Sequence, residues 1–502
     1  LGLLPVASGA LAGIAAVALG FGGVHGLTIG FGTTLIGEAV DYTIYYFVQS
    51  DGQDEGSWME RFWPTIRLGV LTSIFGFASL LFSGFPGLAQ LGLYSIAGLI
   101  TAAAVTRFVL PHLRPAGFRI RDIAPVGRAL SRAWNLLSRG RLAIPVLAIA
   151  AVVVLVTHRD QLWNASLSGL SPVSAADQAL DQSLRADLGA PDLRYLVVLK
   201  AADREAALRA AEAVGQLLDA LVRDGALGGF ETPARFLPST AIQTARQQSL
   251  PARDELARRL DTALADLPLR ADKLSAFLDD VDAARRQPLL TPEALKNTTL
   301  ALAVDSLLLE RPQGWTVLMP LRAPAGDIPL DPARIQSALA GSDALFVDIF
   351  GESNRLYQTY LDEAILLSLA GILAIVVLMA VALRQPARLV RVMIPVVAAE
   401  LIVMAGLALS GQSLTLLHLV GMLLIVAVGT NYALFFDRAD SNPGDDPRTL
   451  ASLLLANLAT VIGFGALAFS PVPVLKAIGI TVGPGAVLTL MLSAMLVRRS
   501  PR

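Results

Sequence analysis

The sequence predicts a polytopic α-helical membrane protein that carries an α/β domain outside the bilayer and is built on two parallel pseudo-repeats. Three observations predict it. Hydrophobic residues make up 54% of the 502 positions and charged residues only 16%, at a mean hydropathy of +0.59, which excludes an ordinary soluble multidomain chain. Ten stretches approach the roughly 20 apolar residues that cross a hydrocarbon core. Phrases from the opening stretches recur, in order, in the closing ones.

The ten candidate spans lie at roughly 2–21, 28–49, 66–84, 88–110, 142–157, 360–382, 392–410, 413–436, 449–470 and 474–497. Arg114, Arg119, Arg121, Arg128, Arg132, Arg139 and Arg141 load the connection after the fourth. Arg384, Arg388 and Arg391 load the one after the sixth, and Arg498, Arg499 and Arg502 the tail. The positive-inside rule makes all three cytoplasmic, and strict alternation then places the long segment after His158 on the outer side. The expected organisation is four spans of the first repeat (1–112), a cytoplasmic amphipathic connection (113–141), a span (142–157), an outer porter-like domain (158–359), five spans of the second repeat (360–497) and a cytoplasmic tail (498–502). Within the connection, Val126, Leu130, Ala133, Trp134 and Leu137 recur at helical spacing. Two readings stay open: a helix lying in the headgroup layer, or a short helix docked on the membrane helices.

The outer segment switches to soluble chemistry. Leu193–Lys200 reads as a strand and Asp203–Asp224 as an amphipathic helix, with a further strand expected around Gly229–Phe236. Ser239–Glu310 reads as mostly helical. Gly314–Leu321, Asp331–Ala340 and Ala344–Phe350 then read as strand, helix and strand. Two βαβ-like halves around a helical insertion suggest a split-βαβ, ferredoxin-like domain.

Several function classes are excluded. The chain has no cysteine, so neither a disulfide nor a thiol mechanism is available. A net charge of −1, with basic residues clustered at helix ends, gives nucleic acid no footprint. Walker A, HExxH and GxSxG signatures are absent, and no nucleophile–base pair is evident, so we expect a transporter rather than an enzyme, with no bound cofactor.

The internal repeat is the strongest argument. Gly76, Phe77, Leu80, Phe82, Ser83, Pro86, Leu88 and Gly92 recur as Gly463, Phe464, Leu467, Phe469, Ser470, Pro473, Leu475 and Gly479. Upstream, Pro5 and Val6 match Pro395 and Val396, and Asp41 and Tyr42 match Asn431 and Tyr432. Spans one to four thus correspond to spans seven to ten. An even number of spans separates each pair, so equivalent helices run in the same direction and the halves relate by an axis along the membrane normal. Leu1 lies inside an apolar run, and a complete repeat would place a further outer domain flanked by two spans ahead of it, so we expect the beginning of the natural protein to be missing.

GEAVDY (37–42) and GTNY (429–432) on equivalent helices, the paired GFxxLxFS phrases and the large domain between the fifth and sixth spans resemble the resistance-nodulation-division (RND) superfamily of proton-driven exporters. Within it the chain is similar to MMPL-type and hopanoid-transporter-like bacterial lipid exporters. The resemblance implies a multi-pass protein of the bacterial inner membrane with a large periplasmic domain, driven by the proton gradient. It implies a hydrophobic small-molecule or lipid substrate, membrane lipids around it, and a homo-oligomer or a periplasmic carrier as partner. It also implies that the two central helices pack face to face, bringing Asp41 and Tyr42 near Asn431 and Tyr432. In MMPL-type exporters the second helix often carries an Asp-Tyr pair. Here it is Asn-Tyr, which points to a single proton-carrying centre. Two rivals stand beside lipid export: a proton-powered accessory to protein translocation, and a lipid sensor or scaffold that does not pump.

The residues themselves support a proton site. An ionisable side chain at helix-centre depth costs about 2.5 to 3.5 kcal/mol on the lenient insertion scale, so Glu38 and Asp41 inside an apolar stretch mark a pathway by default. Asp41 ranks first, because the repeat keeps a polar residue at its position and has Val428 at that of Glu38. Tyr45, one turn on, is placed to donate to the Asp41 carboxylate, and Glu38, one turn back, to share or compete for its proton. Glu400 reads either as a second titrating group or as a hydrogen-bonding group between helices. Asn457 and Thr460, opposite Val70 and Ser73 in the repeat, line the relay or join helices. His418 precedes Asn431 by about 20 Å of helix and reads as a packing residue.

Overall fold

The computed structural model describes residues 1–35, 38–49, 55–115, 122–137, 140–164, 166–171, 173, 175–187, 194–324, 330–437 and 447–496. It divides into two units, one formed by Leu1–Pro172 with Asn354–Arg502 and the other by Val173–Ser353. In chain order the first unit opens with α1 (Leu4–Phe21), α2 (Gly26–Leu35), α3 (Glu38–Gln49) and α4 (Glu55–Leu80). Next comes α5 (Pro86–Ala104), which passes through a π turn (Val105–Val109) into α6 (Leu110–Leu113), followed by α7 (Ala124–Leu137) and α8 (Ala143–Thr157). The second unit holds α9 (Ala175–Asp187), β1 (Tyr195–Ala201), α10 (Arg204–Arg223), β2 (Gly229–Phe230), α11 (Thr240–Ser249), α12 (Arg253–Leu264), α13 (Ser275–Arg286), α14 (Pro292–Leu295) and α15 (Thr299–Leu307). It is completed by β3 (Leu308–Arg311), β4 (Gly314–Arg322), α16 (Pro332–Leu339) and β5 (Leu345–Asp348). The chain ends with α17 (Ile349–Leu383), α18 (Pro386–Leu409), α19 (Leu416–Asp437), α20 (Pro447–Leu467) and α21 (Pro473–Met495).

Seven helices among the described residues are long and apolar enough to cross a membrane: α1, the continuous Pro86–Leu113, and α17 to α21. The chain is a multi-pass membrane protein. The other three of the ten expected spans take different forms. Stretch 28–49 is helical on either side of 36–37, as α2 and α3, and 36–37 (and so Gly37) lie outside the described residues. Stretch 66–84 lies within α4, which extends N-terminally through the charged Glu60 and Arg67, and α8 is apolar but only 15 residues long. The tail 498–502 also falls outside the described residues.

Helix starts follow proline. Pro86 and Pro473 occupy the first turns of α5 and α21, where the missing N–H costs nothing. At the preceding turns Ser83 accepts from the Phe85 N–H and Ser470 from the Val472 N–H, each at 3.2 Å. In both hairpins the returning helix is closed by a glycine. A Cβ at Gly92 would meet Phe77 O at 2.8 Å, and one at Gly479 would overlap the backbone of Ala468.

The centre of the unit is α19. All of its residues are buried, as a helix apolar on every side requires. It packs against α4, α18 and α21, while α3 packs against α20. Away from this centre α17 exposes Leu366, Leu369, Leu373, Val377 and Val381 at helical spacing, an apolar stripe suited to lipid. After α6, α7 packs on α20 and α21, as the docked reading expects: a Cβ at Gly127 would overlap Pro447 O, and Trp134 meets Phe436 edge-on at 5.1 Å.

In the second unit the sheet order is β2-β4-β1-β5, with every pairing antiparallel and β3 added to β4. β1–α10–β2 and β4–α16–β5 interleave, which is the order a split βαβ domain produces. Val197 opposite Met319 and Leu199 opposite Val317 form its buried face, covered by Ala207, Ala211, Val214 and Leu218 of α10. Asp203 caps α10, accepting from the Ala206 N–H at 2.7 Å. Two expectations are corrected. β3 lies in a stretch read as helix, because it joins β4 through a two-residue turn ending at Gly314 (φ 127°). The strand around 229–236 shrinks to two residues because Pro233 begins a 3-10 turn.

Candidate proton-coupling site

The site forms on α3. Asp41, Tyr42 and Tyr45 lie three, four and seven residues after Glu38, so all three share its face of the helix. That face is sealed: Glu38 is 0% exposed and Asp41 1%.

Three donors converge on Glu38 Oε1. Ser73 Oγ on α4 donates at 2.7 Å, Asn431 Nδ2 on α19 at 2.9 Å and Tyr42 OH from the same helix at 3.2 Å. Thr460 Oγ1 of α20 donates to Asp41 Oδ1, at 3.5 Å. The second oxygen of each carboxylate, Glu38 Oε2 and Asp41 Oδ2, is buried without a hydrogen-bond partner. Among the described residues no Lys, Arg or His forms an ion pair with either group.

Packing explains why these groups meet. A Cβ at Gly69 would overlap Asn431 Oδ1, so only glycine on α4 lets the Asn431 amide reach α3. The hydroxyls of Ser73 and Thr460 also bond to the carbonyls four residues back, Gly69 O at 3.2 Å and Ala456 O at 3.1 Å.

The structure thus brings Glu38, Asp41, Tyr42, Asn431 and Thr460 together, with Asn431 turned to Glu38. Tyr432 is fully buried beside the cluster. The expected Tyr45 donation to Asp41 is absent: the Tyr45 hydroxyl is buried and unpartnered, and its ring packs on Phe435 with centroids 4.6 Å apart. Asn457 Nδ2 donates to Ala486 O at 2.7 Å, joining α20 to α21. Glu400 is half-buried on α18, outside the cluster, and makes no side-chain hydrogen bond among the described residues. His418 Nδ1 accepts the Thr415 N–H at 3.0 Å and closes the start of α19.

Two features escaped sequence reasoning. Ser73 is the closest donor to Glu38; the signal was its repeat match to Thr460. Asp437, at the end of α19, is buried between Arg388 Nε at 2.7 Å and Arg391 Nη1 at 3.1 Å. Its signal was an acid ending an apolar span opposite an arginine-rich turn.

No protein-family model matches the chain, and no curated protein sequence matches it. Among solved structures it superposes on SecDF from Thermus thermophilus, described as a translocon-associated membrane protein, with a TM-score of 0.50 at 15% identity, covering 98% of this chain and 58% of that one. The fold is similar to that of the part of SecDF it covers. A second SecDF structure, in a super-membrane-facing form, matches with a TM-score of 0.47 at 14% identity, covering 98% of this chain and 57% of that chain. The chain therefore spans a little more than half the length of the SecDF chains it resembles.

Proposed function

We propose that this chain acts in a proton-coupled transporter of the RND superfamily, in which proton binding on α3 shifts α4, α19 and α20. One observation carries the reading: two buried carboxylates without a cation, each with a bare oxygen, receive their hydrogen bonds from three other helices. Such a group is costly as a fixed charge and serves as a loading point for a proton. Each proton crossing 100 mV supplies about 2.3 kcal/mol, enough to bias helix packing.

The two-repeat architecture supports the same reading. α3 packs on α20 as α19 packs on α4, the reciprocal contacts that a two-fold relation between the halves would create. The Ser83 and Ser470 turns and the Gly92 and Gly479 contacts match pair by pair. In this reading residues 158–359 form a periplasmic porter-like domain, 113–141 and 498–502 are cytoplasmic, and the protein sits in the bacterial inner membrane without a bound cofactor.

For the cargo, the SecDF fold favours an accessory to protein translocation. Lipid export is the second reading, favoured by the GEAVDY and GTNY phrases and their resemblance to MMPL-type exporters. Cells carrying the complete protein or its Asp41→Asn variant, at equal membrane abundance, separate the two. Loss of secretion of a reporter protein supports the first reading, and retention of an extractable lipid supports the second. Secretion and lipid export that are both unchanged, and both indifferent to the proton gradient, would overturn the proposal.

A further inference from the structure

The geometry points to a binding site for an anionic phospholipid on the outward face of α7, formed by Arg128 and Arg132 beside Val126, Ala129 and Ala133, which clamps α7 onto the ends of α19 and α20. That those two helices answer to proton binding rests on the reading above; the lipid site itself does not.

α7 lies across the ends of three long apolar helices. A Cβ at Gly127 would overlap the carbonyl of Pro447, the first residue of α20. Trp134 meets Phe436, the last residue but one of α19, with ring centroids 5.1 Å apart. Just beyond α7, a Cβ at Gly140 would come within 3.3 Å of the side chain of Met495, the last residue of α21. The chain then enters the apolar α8, whose Val146, Ile149 and Val153 side chains are exposed. A helix set against membrane-helix ends and leading straight into an apolar helix lies at the level of the lipid headgroups. In the reading above these belong to the cytoplasmic leaflet.

The helical period divides α7 into two faces. Gly127 is buried, and Leu130 and Trp134 pack on the membrane core. On the other face Arg128 and Arg132 are exposed one turn apart along one edge, and Val126, Ala129 and Ala133 are exposed along the other. Among the described residues neither arginine forms an ion pair. The chain thus covers neither the two charges nor the apolar edge beside them. A soluble acidic group would meet only the first need, and a neutral lipid only the second. An anionic phospholipid meets both at the boundary between its headgroup and its acyl chains. Bound there, it holds α7 against the start of α20 and the end of α19, the helices that carry Thr460 and Asn431 of the proton site.

The chain has no cysteine, so a spin label on Ala129→Cys reports from this face alone. In nanodiscs of phosphatidylcholine with phosphatidylglycerol, the label should be accessible to oxygen and shielded from a water-soluble relaxant. On extraction into neutral detergent the protein should retain phosphatidylglycerol in preference to phosphatidylcholine. Arg128→Gln and Arg132→Gln should each lower that preference about fivefold. Arg384→Gln, at an exposed arginine in the turn between α17 and α18, should leave it unchanged. Backbone hydrogen exchange at the start of α20 should be slower with phosphatidylglycerol than without it, and equal in the two lipids for the double variant Arg128→Gln/Arg132→Gln. A wild type with no lipid preference, a label that stays in water, or an equal loss in Arg384→Gln overturns the site. The same slowing by soluble glycerol phosphate overturns the lipid as its occupant. None of these readouts uses a proton gradient, so transport that survives Asp41→Asn would count against the proton-coupled reading and leave this site standing.

Discussion

Asn431 donates its side-chain amide to Glu38, 2.9 Å away and 393 positions earlier in the chain, and this bond joins the central helix α19 to α3. Replacing Asn431 by Leu removes the donor and leaves Glu38 with Ser73 and Tyr42. A hydrogen bond to an ionisable buried group is worth about 1.5–3 kcal/mol, so thermal unfolding in detergent should move down by that order. Proton-gradient-dependent transport should fall at least tenfold. Unchanged transport in Asn431→Leu would remove the bond from the mechanism.

Gly69→Ala should mimic the loss of Asn431 without touching a polar group. The added methyl occupies the place of Asn431 Oδ1 and forces the amide away. Overpacking of this kind costs about 1–3 kcal/mol. In a double-mutant cycle the two substitutions should be markedly less than additive, because both break the same contact.

Asp437 should be the most sensitive of the ion-pairing residues. Its side chain is 2% exposed and bound by both Arg388 and Arg391, so Asp437→Ala strands two arginines at the end of α19. Removing one partner of a fully buried pair costs about 3–5 kcal/mol, and the cost here should be smaller because the Arg388 and Arg391 side chains are 32% and 27% exposed. Arg388→Ala leaves Arg391 in place and should cost distinctly less, a ranking that melting temperatures of the purified variants can check.

In the second unit, Leu218→Ala opens a cavity between α10 and the sheet and should cost about 2–5 kcal/mol. Asp203→Ala removes only the cap of α10 and should cost about 1 kcal/mol. Chemical unfolding followed by the fluorescence of Trp315, on the neighbouring strand β4, distinguishes them.

Much of this was legible in the residues, and the limits have physical causes. Apolar length located the spans, since a helix in lipid must satisfy its own backbone. At the charged start of α4 apolar length falls short, because that helix begins at Glu55 and the apolar stretch only at 66. β3 was missed because Leu307–Leu309 continue the helical run of α15, and only pairing with β4 decides against helix. At the site, comparing the repeats placed Asp41 above Glu38, because that comparison weighs what each position keeps. It is blind to which helix faces which. Ser73 and Thr460 matched in sequence, yet mid-helix hydroxyls ordinarily bond only backward along their own helix. Their second bonds, to Glu38 and Asp41, exist only once α4 and α20 lie beside α3.

The complete burial of α19 has a consequence for how this chain can change over time. Every one of its side chains abuts another helix, so an exchange anywhere along it must be accommodated by a neighbour. The outward stripe of α17 is exposed and should tolerate almost any apolar replacement. In a saturation scan of the whole gene, α19 should therefore stand out as an unbroken band of intolerance, and α17 as a ladder of permissive rungs every three or four positions.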